Sequence, residues 1–401
     1  MKKTLRPLGL YIHIPFCAQK CIYCDFYSLS DAAARMDDYC AALCAHLDET
    51  AATAKNHVVD TIYFGGGTPT FFGAARLIRI LRCIEKKYAV AKDAEITFEA
   101  NPESARDVGE LKKLRRAGFN RISLGMQSAS SETLKTLGRI HSADDVKDAV
   151  AAARKAKLKN VSLDLIYGLP SQTMDHWLSD LGAAIALAPE HISCYGLKVE
   201  EGTPLHRDAA QYTLPDDDAQ ADFYLAAVEL LAKNGYRQYE ISNFAKEGFL
   251  SRHNYKYWKL DEYAGFGPGA HSDFGGVRYA YVRDLAAYID GVTRGTDIIA
   301  EREVIDPRDR DTEYLMLGLR TSEGICPAEF ERRYRYRFAP LAPLLEEYAR
   351  AGLAVLENDR WHLTPKGFLV SNQIIGALLQ AHGDEKARRA EAAAHGDFRV
   401  V

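Results

Sequence analysis

Residues 11–26 read YIHIPFCAQKCIYCDF. The first half of this stretch is a β-rich, largely apolar run that predicts a strand. Its second half is a loop with three cysteines spaced C-x-x-x-C-x-x-C, which are Cys17, Cys21 and Cys24. Thiolates select soft metals and iron–sulfur clusters. The stretch therefore predicts a metal-binding loop at the end of a first strand.

The number of cysteines bears on which metal the loop would hold. A structural zinc site needs a fourth ligand, and the usual zinc pattern pairs two C-x-x-C hooks. His13 is near in sequence, but it lies within the predicted strand. A four-iron cluster normally takes four cysteines. Three cysteines would leave one iron free to bind a small molecule through an amino and a carboxylate group, so the count favours a cluster that does chemistry.

The other five cysteines predict buried packing rather than chemistry. The N-terminal residues lack the apolar core of a signal peptide, and no uninterrupted apolar run reaches about 18 residues. We therefore expect a cytoplasmic protein without a membrane span. In that reducing compartment, clustered cysteines indicate a metal or catalysis and not disulfides.

From residue 9 to about residue 200, short β-rich runs alternate with amphipathic helical stretches. Repeated βα units predict parallel strands with right-handed crossovers. The six units in succession predict an α/β fold with a partial (β/α)6 TIM-like barrel. Chemistry in such barrels lies at the carboxyl ends of the strands, where the polar segments GGGTPT, EANPES, GMQS and GLPSQT follow the runs here. The six runs are residues 9–14, 61–67, 94–100, 120–126, 160–168 and 191–197.

We expect four segments along the chain. Residues 1–235 form the barrel core, and residues 236–295 form an aromatic, glycine-rich extension. Residues 296–380 read as helices, then two short strands and a helix, which predicts a winged-helix-like C-terminal domain. Residues 381–401 are polar and alanine-rich, which predicts a disordered tail. The formal net charge of −4 over 401 residues argues against a bulk nucleic-acid binder.

Seven motifs carry a resemblance to a known family. The cysteine triplet after one strand and the glycine motif after the next resemble the radical S-adenosylmethionine (SAM) superfamily. Within it, the chain is similar to the oxygen-independent coproporphyrinogen III oxidase group, and the winged-helix-like end also fits. The motifs are YIHIPFC (11–17), CIYCDF (21–26), FGGGTPT (64–70), FEANPES (98–104), RISLGMQS (121–128), DLIYGLPSQ (164–172) and GFGPGAHS (265–272).

The resemblance implies a [4Fe–4S] cluster on Cys17, Cys21 and Cys24, with SAM bound at its open iron. One electron then cleaves the sulfonium to give a 5′-deoxyadenosyl radical, which is chemistry of the cofactors themselves. The residues that the resemblance implies around SAM are Tyr11, Tyr23, Gly65, Gly66, Gly67, Thr68, Glu99, Gln127, Arg139, Asp164 and Lys198.

Several of these residues have a specific implied role. Tyr23 packs against the adenine, Glu99 bonds the ribose, and Arg139 pairs with the SAM carboxylate. The glycines approach the SAM amino group, whereas a phosphate cradle would need a Lys-Ser/Thr pair that is missing after them. Asp164 lies in a buried-strand pattern, where an unpaired carboxylate is costly, which favours a functional role. Lys198 would contact SAM through its backbone.

Two features separate the chain from the oxidases of this group. The oxidases carry a fourth cysteine two residues after the third, and Phe26 occupies that position here. They also carry an N-terminal extension, whereas the first strand here begins near residue 9. Both features speak against porphyrinogen decarboxylation. The C-D-F ending with a short N-terminus resembles the heme chaperone branch of the group.

Residues 253–258 read HNYKYW, and the heme chaperone branch carries an H-N-x-x-Y-W pattern implicated in heme handling. The resemblance implies that His253 ligates heme iron, as imidazole does in many heme sites, and that Tyr257 and Trp258 flank the macrocycle. The alternative is ordinary aromatic packing under a long loop. Heme thus joins the cluster and SAM among the predicted ligands.

Three functions stay open at this point. The first is a heme chaperone that delivers heme to a hemoprotein, a respiratory enzyme through which any membrane contact would be made. The second is a radical SAM enzyme acting on a tetrapyrrole, by coproporphyrinogen decarboxylation or heme ring opening. The third is an RNA-modifying enzyme, which the mixed charges of residues 325–378 disfavour. The sequence assigns no catalytic residue, and both a monomer and a dimer remain open.

Overall fold

A computed structural model describes residues 5–395 of the chain. Within them, the strands are β1 (Arg6–Ile14), β2 (His57–Gly66), β3 (Val90–Ala100), β4 (Arg121–Gln127), β5 (Asn160–Tyr167), β6 (His191–Gly196), β7 (Arg237–Gln238), β8 (Asn243–Ala245), β9 (Tyr263–Phe266), β10 (His271–Phe274), β11 (Val277–Tyr281), β12 (Ile299–Val304), β13 (Ala354–Glu357) and β14 (Arg360–Leu363).

The same residues form α-helices between and after these strands. The helices are α1 (Met36–Thr50), α2 (Pro69–Phe72), α3 (Ala74–Lys87), α4 (Val108–Ala117), α5 (Ser131–Thr136), α6 (Ala143–Lys155), α7 (Met174–Ala186), α8 (Pro204–Arg207), α9 (Asp217–Lys233), α10 (Arg252–Lys259), α11 (Leu285–Arg294), α12 (Asp311–Gly318), α13 (Pro327–Tyr334), α14 (Ala342–Arg350), α15 (Pro365–Leu369) and α16 (Ser371–Ala394). None of these helices combines the length and the apolar run that crossing a bilayer requires.

The first six strands lie side by side in chain order at the centre of one sheet, and every pairing among them is parallel. Strand β9 adds to the free edge of β1 in parallel, and β10 to β12 continue from it as antiparallel strands. At the other edge, β8 pairs antiparallel with β6. The prediction of an α/β fold built on a partial (β/α)6 TIM-like barrel is confirmed.

Side chains alternate along the central strands between an apolar and a polar face. Ile96 and Phe98 of β3 join the apolar core that the sheet shares with the helices. Thr97, which lies between them, is buried and polar. The same holds for Ser123 and Ser162 in the neighbouring strands β4 and β5. Successive side chains of a strand point to opposite faces, so the polar residues share the face away from the helices. TIM barrels usually fill that interior with branched apolar side chains, and polar groups there indicate a place for a polar ligand.

The contacts divide the chain into two compact units. The first comprises residues up to 237, residues 242–256 and residues 261–304, so the aromatic, glycine-rich segment contributes β8 to β11 to the large sheet. The second comprises residues 238–241 and 257–260 together with the residues from 305 onward. It holds helices α12 to α16 and the antiparallel β13–β14 hairpin, in agreement with the helical, winged-helix-like end predicted from the sequence.

The prediction of a disordered tail from residue 381 is wrong for most of that segment. Helix α16 continues without a break to Ala394. Its polar residues are not all solvated, because His382 and Lys386 both bind the fully buried carboxylate of Asp311, at 2.6 and 2.8 Å. The sequence shows no apolar helical periodicity here, because the buried face of this part of the helix is itself polar. Residues 396–401 of the predicted tail lie outside the described residues.

Candidate functional site

The three cysteines of the triplet lie in the loop that leaves the carboxyl end of β1. All three are half-buried free thiols. The backbone N–H of Cys17 donates to Leu29 O at 3.0 Å, and that of Cys24 donates to Cys21 O at 3.3 Å, so the loop is closed at both ends of the triplet. Burial raises the pKa of Cys17 and of Cys24, and a hydrogen bond from Thr68 opposes that rise at Cys17. A metal would favour the thiolate forms that burial disfavours.

This donor set fits a cluster better than a single ion. Within residues 5–395, no group of three or more His, Cys, Asp or Glu side chains is placed to hold one metal ion. Thiolates that each bind a different iron do not need to meet at one point. Three half-buried free thiols in one loop fit a four-iron cluster in which one iron is left open.

The glycine motif at the end of β2 packs against the end of β1. Gly67 N donates to Ile14 O at 2.8 Å, and Thr68 N donates to Phe16 O at 2.7 Å. A Cβ at Gly67 would lie 2.7 Å from both of those carbonyl oxygens, and one at Gly65 would lie 2.9 Å from the Glu99 carboxylate. The glycines are therefore needed for close approach within the chain itself. Gly66 has a φ of 106°, a backbone conformation that favours glycine.

A chain of hydrogen bonds connects the cysteine loop to Arg139. Thr68 Oγ1 donates to Cys17 Sγ at 3.5 Å and accepts from Asn101 Nδ2 at 3.2 Å. Asn101 Oδ1 accepts in turn from Arg139 Nη1 at 2.8 Å. The Arg139 guanidinium lies 5.9 Å from the centre of the Tyr23 ring, a cation–π distance. Thr68, Arg139 and Tyr23, for which the resemblance implies SAM contacts, are thus brought together beside the cysteines.

Arg139 has hydrogen-bonding capacity to spare in this arrangement. Its Nε is buried and has no hydrogen-bond partner among the described residues. The arginine lines a small cavity with Cys21, Asn101, Glu103 and His141. A buried guanidinium nitrogen without a partner is costly unless a ligand supplies one. An anionic group next to the cysteine loop, such as the SAM carboxylate, would satisfy it.

Glu99 is the last residue but one of β3 and lies on the polar face of the sheet. Its carboxylate accepts from Tyr63 Oη at 2.7 Å and from Gly66 N at 3.0 Å. Burial raises the pKa of Glu99 to about 7, against the effect of these two hydrogen bonds. The carboxylate is therefore positioned by β2 and is able to accept a further hydrogen bond, as the implied ribose contact requires.

Tyr11 and Gln127 lie on the same face of the sheet. Tyr11 Oη bonds His13 Nδ1 at 3.0 Å, and its ring stacks on that of Tyr63 at 6.3 Å between centroids. Gln127 has a φ of 62°, which is uncommon for a residue with a side chain. A Cβ at Gly125 would lie 2.9 Å from Gln127 Nε2 and 3.1 Å from Arg139 Nη2. Gln127 and Arg139 thus converge above Gly125.

The structure removes the argument that made Asp164 a functional candidate. Its carboxylate is not left unpaired, because it accepts from Ser123 at 2.9 Å, Ser193 at 2.7 Å and Ser162 at 3.4 Å. Burial raises its pKa, and the hydroxyls oppose that rise. Lys198 follows β6, with its side chain 80% exposed and paired with Glu200 at 2.6 Å. The SAM contacts implied for Asp164 and Lys198 stay predictions.

His253 lies on the polar face of the sheet and not on a surface. It is 1% exposed, its Nδ1 bonds Thr61 Oγ1 at 2.9 Å, and its ring stacks on Tyr63 at 5.3 Å. Burial, and then the charge of Lys256, lower its pKa to about 3. Tyr257 and Trp258, later in α10, are half-buried and belong to the second compact unit.

Sequence reasoning missed three residues beside the cysteine loop. Asn101 and Glu103 lie within the FEANPES motif and His141 follows Arg139, but none had been given a role. Glu103 Oε2 and His141 Nδ1 are buried, have no hydrogen bond to any residue that the structure describes, and lie 3.8 Å apart. The signal available was position, since Asn101 and Glu103 directly follow β3 and His141 lies in the connection between β4 and α6.

Comparisons with known proteins agree with this geometry. A family model described as the radical SAM superfamily matches residues 11–182, and one described as the HemN C-terminal domain matches residues 305–370. The heme chaperone HemW of Escherichia coli is 37% identical over 94% of this chain and 99% of its own. That of Bacillus subtilis is 35% identical over 92% and 98%.

A HemW protein of Mycobacterium tuberculosis is 35% identical over 93% of this chain and 95% of its own. Among solved structures, coproporphyrinogen III oxidase (HemN) from Escherichia coli superposes with a TM-score of 0.80. It is 23% identical, and the match covers 94% of this chain and 90% of that one. This structural likeness concerns the fold.

Proposed function

The chain belongs to the heme chaperone HemW family of the radical SAM superfamily, and from this premise we propose that it binds heme and delivers it to a hemoprotein. One observation carries the proposal. The similarity to the HemW proteins extends over more than nine tenths of the chain and of each relative cited above, so it includes the barrel, the segment around α10 and the C-terminal unit.

The cysteine loop and the polar face above it would hold the resident cofactors. Cys17, Cys21 and Cys24 would hold a [4Fe–4S] cluster, and Arg139 would bind the SAM carboxylate through the nitrogen that lacks a partner among the described residues. When bound, the cluster and SAM supply one-electron cleavage of a sulfonium. Glu99 would accept a hydrogen bond from the ribose, Tyr23 would pack against the adenine, and Tyr11 would support the cluster and SAM together. The remaining predicted SAM contacts are Gly65, Gly66, Gly67, Thr68, Gln127, Asp164 and Lys198.

Phe26 favours a chaperone over a porphyrinogen oxidase. It follows the third cysteine of the triplet and is 70% exposed, so nothing in its surroundings requires an aromatic side chain there. The oxidases carry their fourth cysteine at this position. A tetrapyrrole-modifying enzyme remains the second candidate, because the residues implied in SAM binding are all present.

The recipient would be a hemoprotein of the respiratory chain. We propose that the protein acts in the cytoplasm and meets the membrane only through that partner. The proposal includes no nucleic-acid partner, in line with the formal net charge of −4.

Anaerobic reconstitution followed by two assays on one sample tests the proposal. We expect uptake of heme and no consumption of coproporphyrinogen in the presence of SAM and a reductant. Sustained coproporphyrinogen turnover would favour the second candidate, and a reconstituted protein that takes up no heme would contradict the first.

A further inference from the structure

A row of three residues crosses strands β1 to β3 on the polar face of the sheet. Gly9 of β1 pairs with Thr61 of β2, and Thr61 pairs with Glu95 of β3. Their neighbours along the strands, such as Ile62 and Ile96, belong to the apolar core, so the row lies on the opposite face. None of the seven family motifs includes this row, and the SAM contacts proposed above leave it without a role.

Glu95 caps the amino end of α10 from a distant strand. It is 6% exposed, and its carboxylate accepts from Arg252 N at 3.1 Å and from His253 N at 3.0 Å. These are the first two N–H groups of the helix, which have no partner within it. A helix ordinarily takes its cap from the residue before its first turn, whereas Glu95 is 157 residues away from Arg252. A cap supplied by the barrel fixes the position of the helix as well as its amino end.

The hydroxyl of Thr61 orients the histidine in the same turn of α10. Thr61 Oγ1 bonds His253 Nδ1 at 2.9 Å, and both side chains are buried. A histidine that binds a metal typically has its other ring nitrogen held by a hydrogen bond, which fixes the orientation of the ring. With Nδ1 engaged in this way, heme iron would bind Nε2 of this imidazole.

Gly9 allows α10 to lie close to the sheet. A Cβ at Gly9 would lie 3.0 Å from Lys256 Cδ and 3.3 Å from His253 Cε1. The Lys256 side chain is itself buried, and its Nζ lies 2.9 Å from Asp60 Oδ1 of β2. The first turn of α10 is therefore held against three neighbouring strands, by close packing on β1, by two polar contacts to β2 and by the cap from β3.

We propose that Glu95 and Thr61 are positioning residues for heme binding, in which Glu95 fixes α10 and Thr61 fixes the imidazole of His253. The inference rests on the proposed function, since it concerns how the HNYKYW motif is presented to heme. The apparent affinity of a ligand falls with the fraction of molecules that are in the binding-competent form. A motif held by the barrel keeps that fraction high, so the loss of either contact should weaken heme binding.

Hemin titration of the full chain with Glu95→Ala tests the cap. Asp107→Ala is the matched control, because Asp107 Oδ1 caps α4 by accepting from Gly109 N at 2.7 Å and Glu110 N at 3.2 Å. Glu95→Gln is the conservative variant, since its amide oxygen is able to accept from both N–H groups of α10. We expect about ten-fold weaker hemin binding for Glu95→Ala, and binding within about two-fold of wild type for the other two variants.

Thr61→Val tests the contact to the imidazole, because it removes the hydroxyl at nearly constant volume. Thr97→Val is its control, since Thr97 is buried on the same face and its Oγ1 has no hydrogen-bond partner among the described residues. We expect about ten-fold weaker hemin binding for Thr61→Val and no change for Thr97→Val. Thr61→Ser keeps the hydroxyl, so it should bind hemin within about three-fold of wild type.

Iron content after reconstitution is measured on every variant, because it reports an intact barrel through the cysteine loop. We expect wild-type iron content in all of them. Glu95→Ala and Thr61→Val proteins that bind hemin as wild type does would overturn the positioning roles and leave the proposed function standing. An equal loss of binding in the two control variants would also overturn these roles, because it would indicate a general loss of stability. A wild-type chain that binds no hemin would instead overturn the proposed function.

Discussion

At the scale of single residues, the cysteine triplet gives the most direct prediction. Replacing Cys24 by Ser removes one of three thiolates, so the reconstituted protein should lose most of its bound iron and the sulfide-to-iron absorption. Cys44→Ser is the control, because Cys44 is also half-buried and free but lies in α1. Equal iron content in both variants would show that the triplet does not hold the cluster.

Glu99 predicts a pH effect on stability. The pKa of Glu99 is about 7 in the folded protein and 4.5 without the fold. Between these pH values the folded state therefore binds more protons than the unfolded state. The free energy of unfolding then falls as pH rises through that window, by up to about 3 kcal/mol from this group. Raising the pH from 5 to 8 should therefore increase the stability of Glu99→Gln relative to wild type, by up to about 3 kcal/mol in the free energy of unfolding. Denaturant unfolding of both proteins at the two pH values measures the difference, and parallel pH profiles would contradict it.

Residues far apart along the chain meet where the strands pair in parallel. The cysteine triplet follows β1, the glycines lie at the end of β2 and Arg139 lies in the connection after β4, and the βα alternation of the sequence predicts that such connections share one edge of the sheet. The argument from an unpaired carboxylate was wrong for Asp164, because the three serines that satisfy it come from three different strands. Their contribution depends on the register of the paired strands, which a single sequence does not reveal.

At the scale of secondary structure elements, α16 shows why a polar segment is not always a tail. His382 and Lys386 contact a carboxylate that is fully buried, and removing one partner of such a group typically costs about 3–5 kcal/mol. His382→Ala should therefore lower the free energy of unfolding of the second unit by about that amount. Glu391→Ala, at an exposed position of the same helix, should leave it within about 0.5 kcal/mol.

Thermal unfolding followed by circular dichroism compares these two variants. A His382→Ala protein that melts at the same temperature as wild type would mean that the cluster around Asp311 contributes nothing to stability.

The composition of residues 381–394 predicts disorder only because polarity is averaged over the segment. The few polar residues that a buried partner satisfies are lost in that average.

The strands show the converse case. In β3 the order Glu95, Ile96, Thr97, Phe98, Glu99 already alternates, so its polar face could be read from the sequence. The residues that cover that face could not be read from the sequence, because His253 of α10 bonds Thr61, which is 192 residues away in the chain. The heme-ligand role that the resemblance implies for the HNYKYW motif stays a prediction, and the structure adds that its histidine packs within the barrel unit.

At the scale of the whole molecule, the cysteine loop follows the carboxyl end of β1, whereas the predicted heme ligand His253 bonds Thr61 in the amino-terminal half of β2. We therefore expect heme to be held without contacting the cysteine loop. This separation predicts that apo protein, without iron and sulfide, still binds hemin with an affinity within about three-fold of the reconstituted form. Hemin titration of both forms measures this, and hemin binding that requires the cluster would contradict it.

The central claim is that the protein passes heme on. Heme-loaded protein mixed with an excess of a heme-free respiratory cytochrome, and followed by the change in the Soret band, measures that step directly. We predict that heme moves to the cytochrome faster than free hemin supplied at the same concentration, with no porphyrinogen consumed in parallel. Heme that stays on the chain, or that transfers no faster than free hemin, would contradict the account.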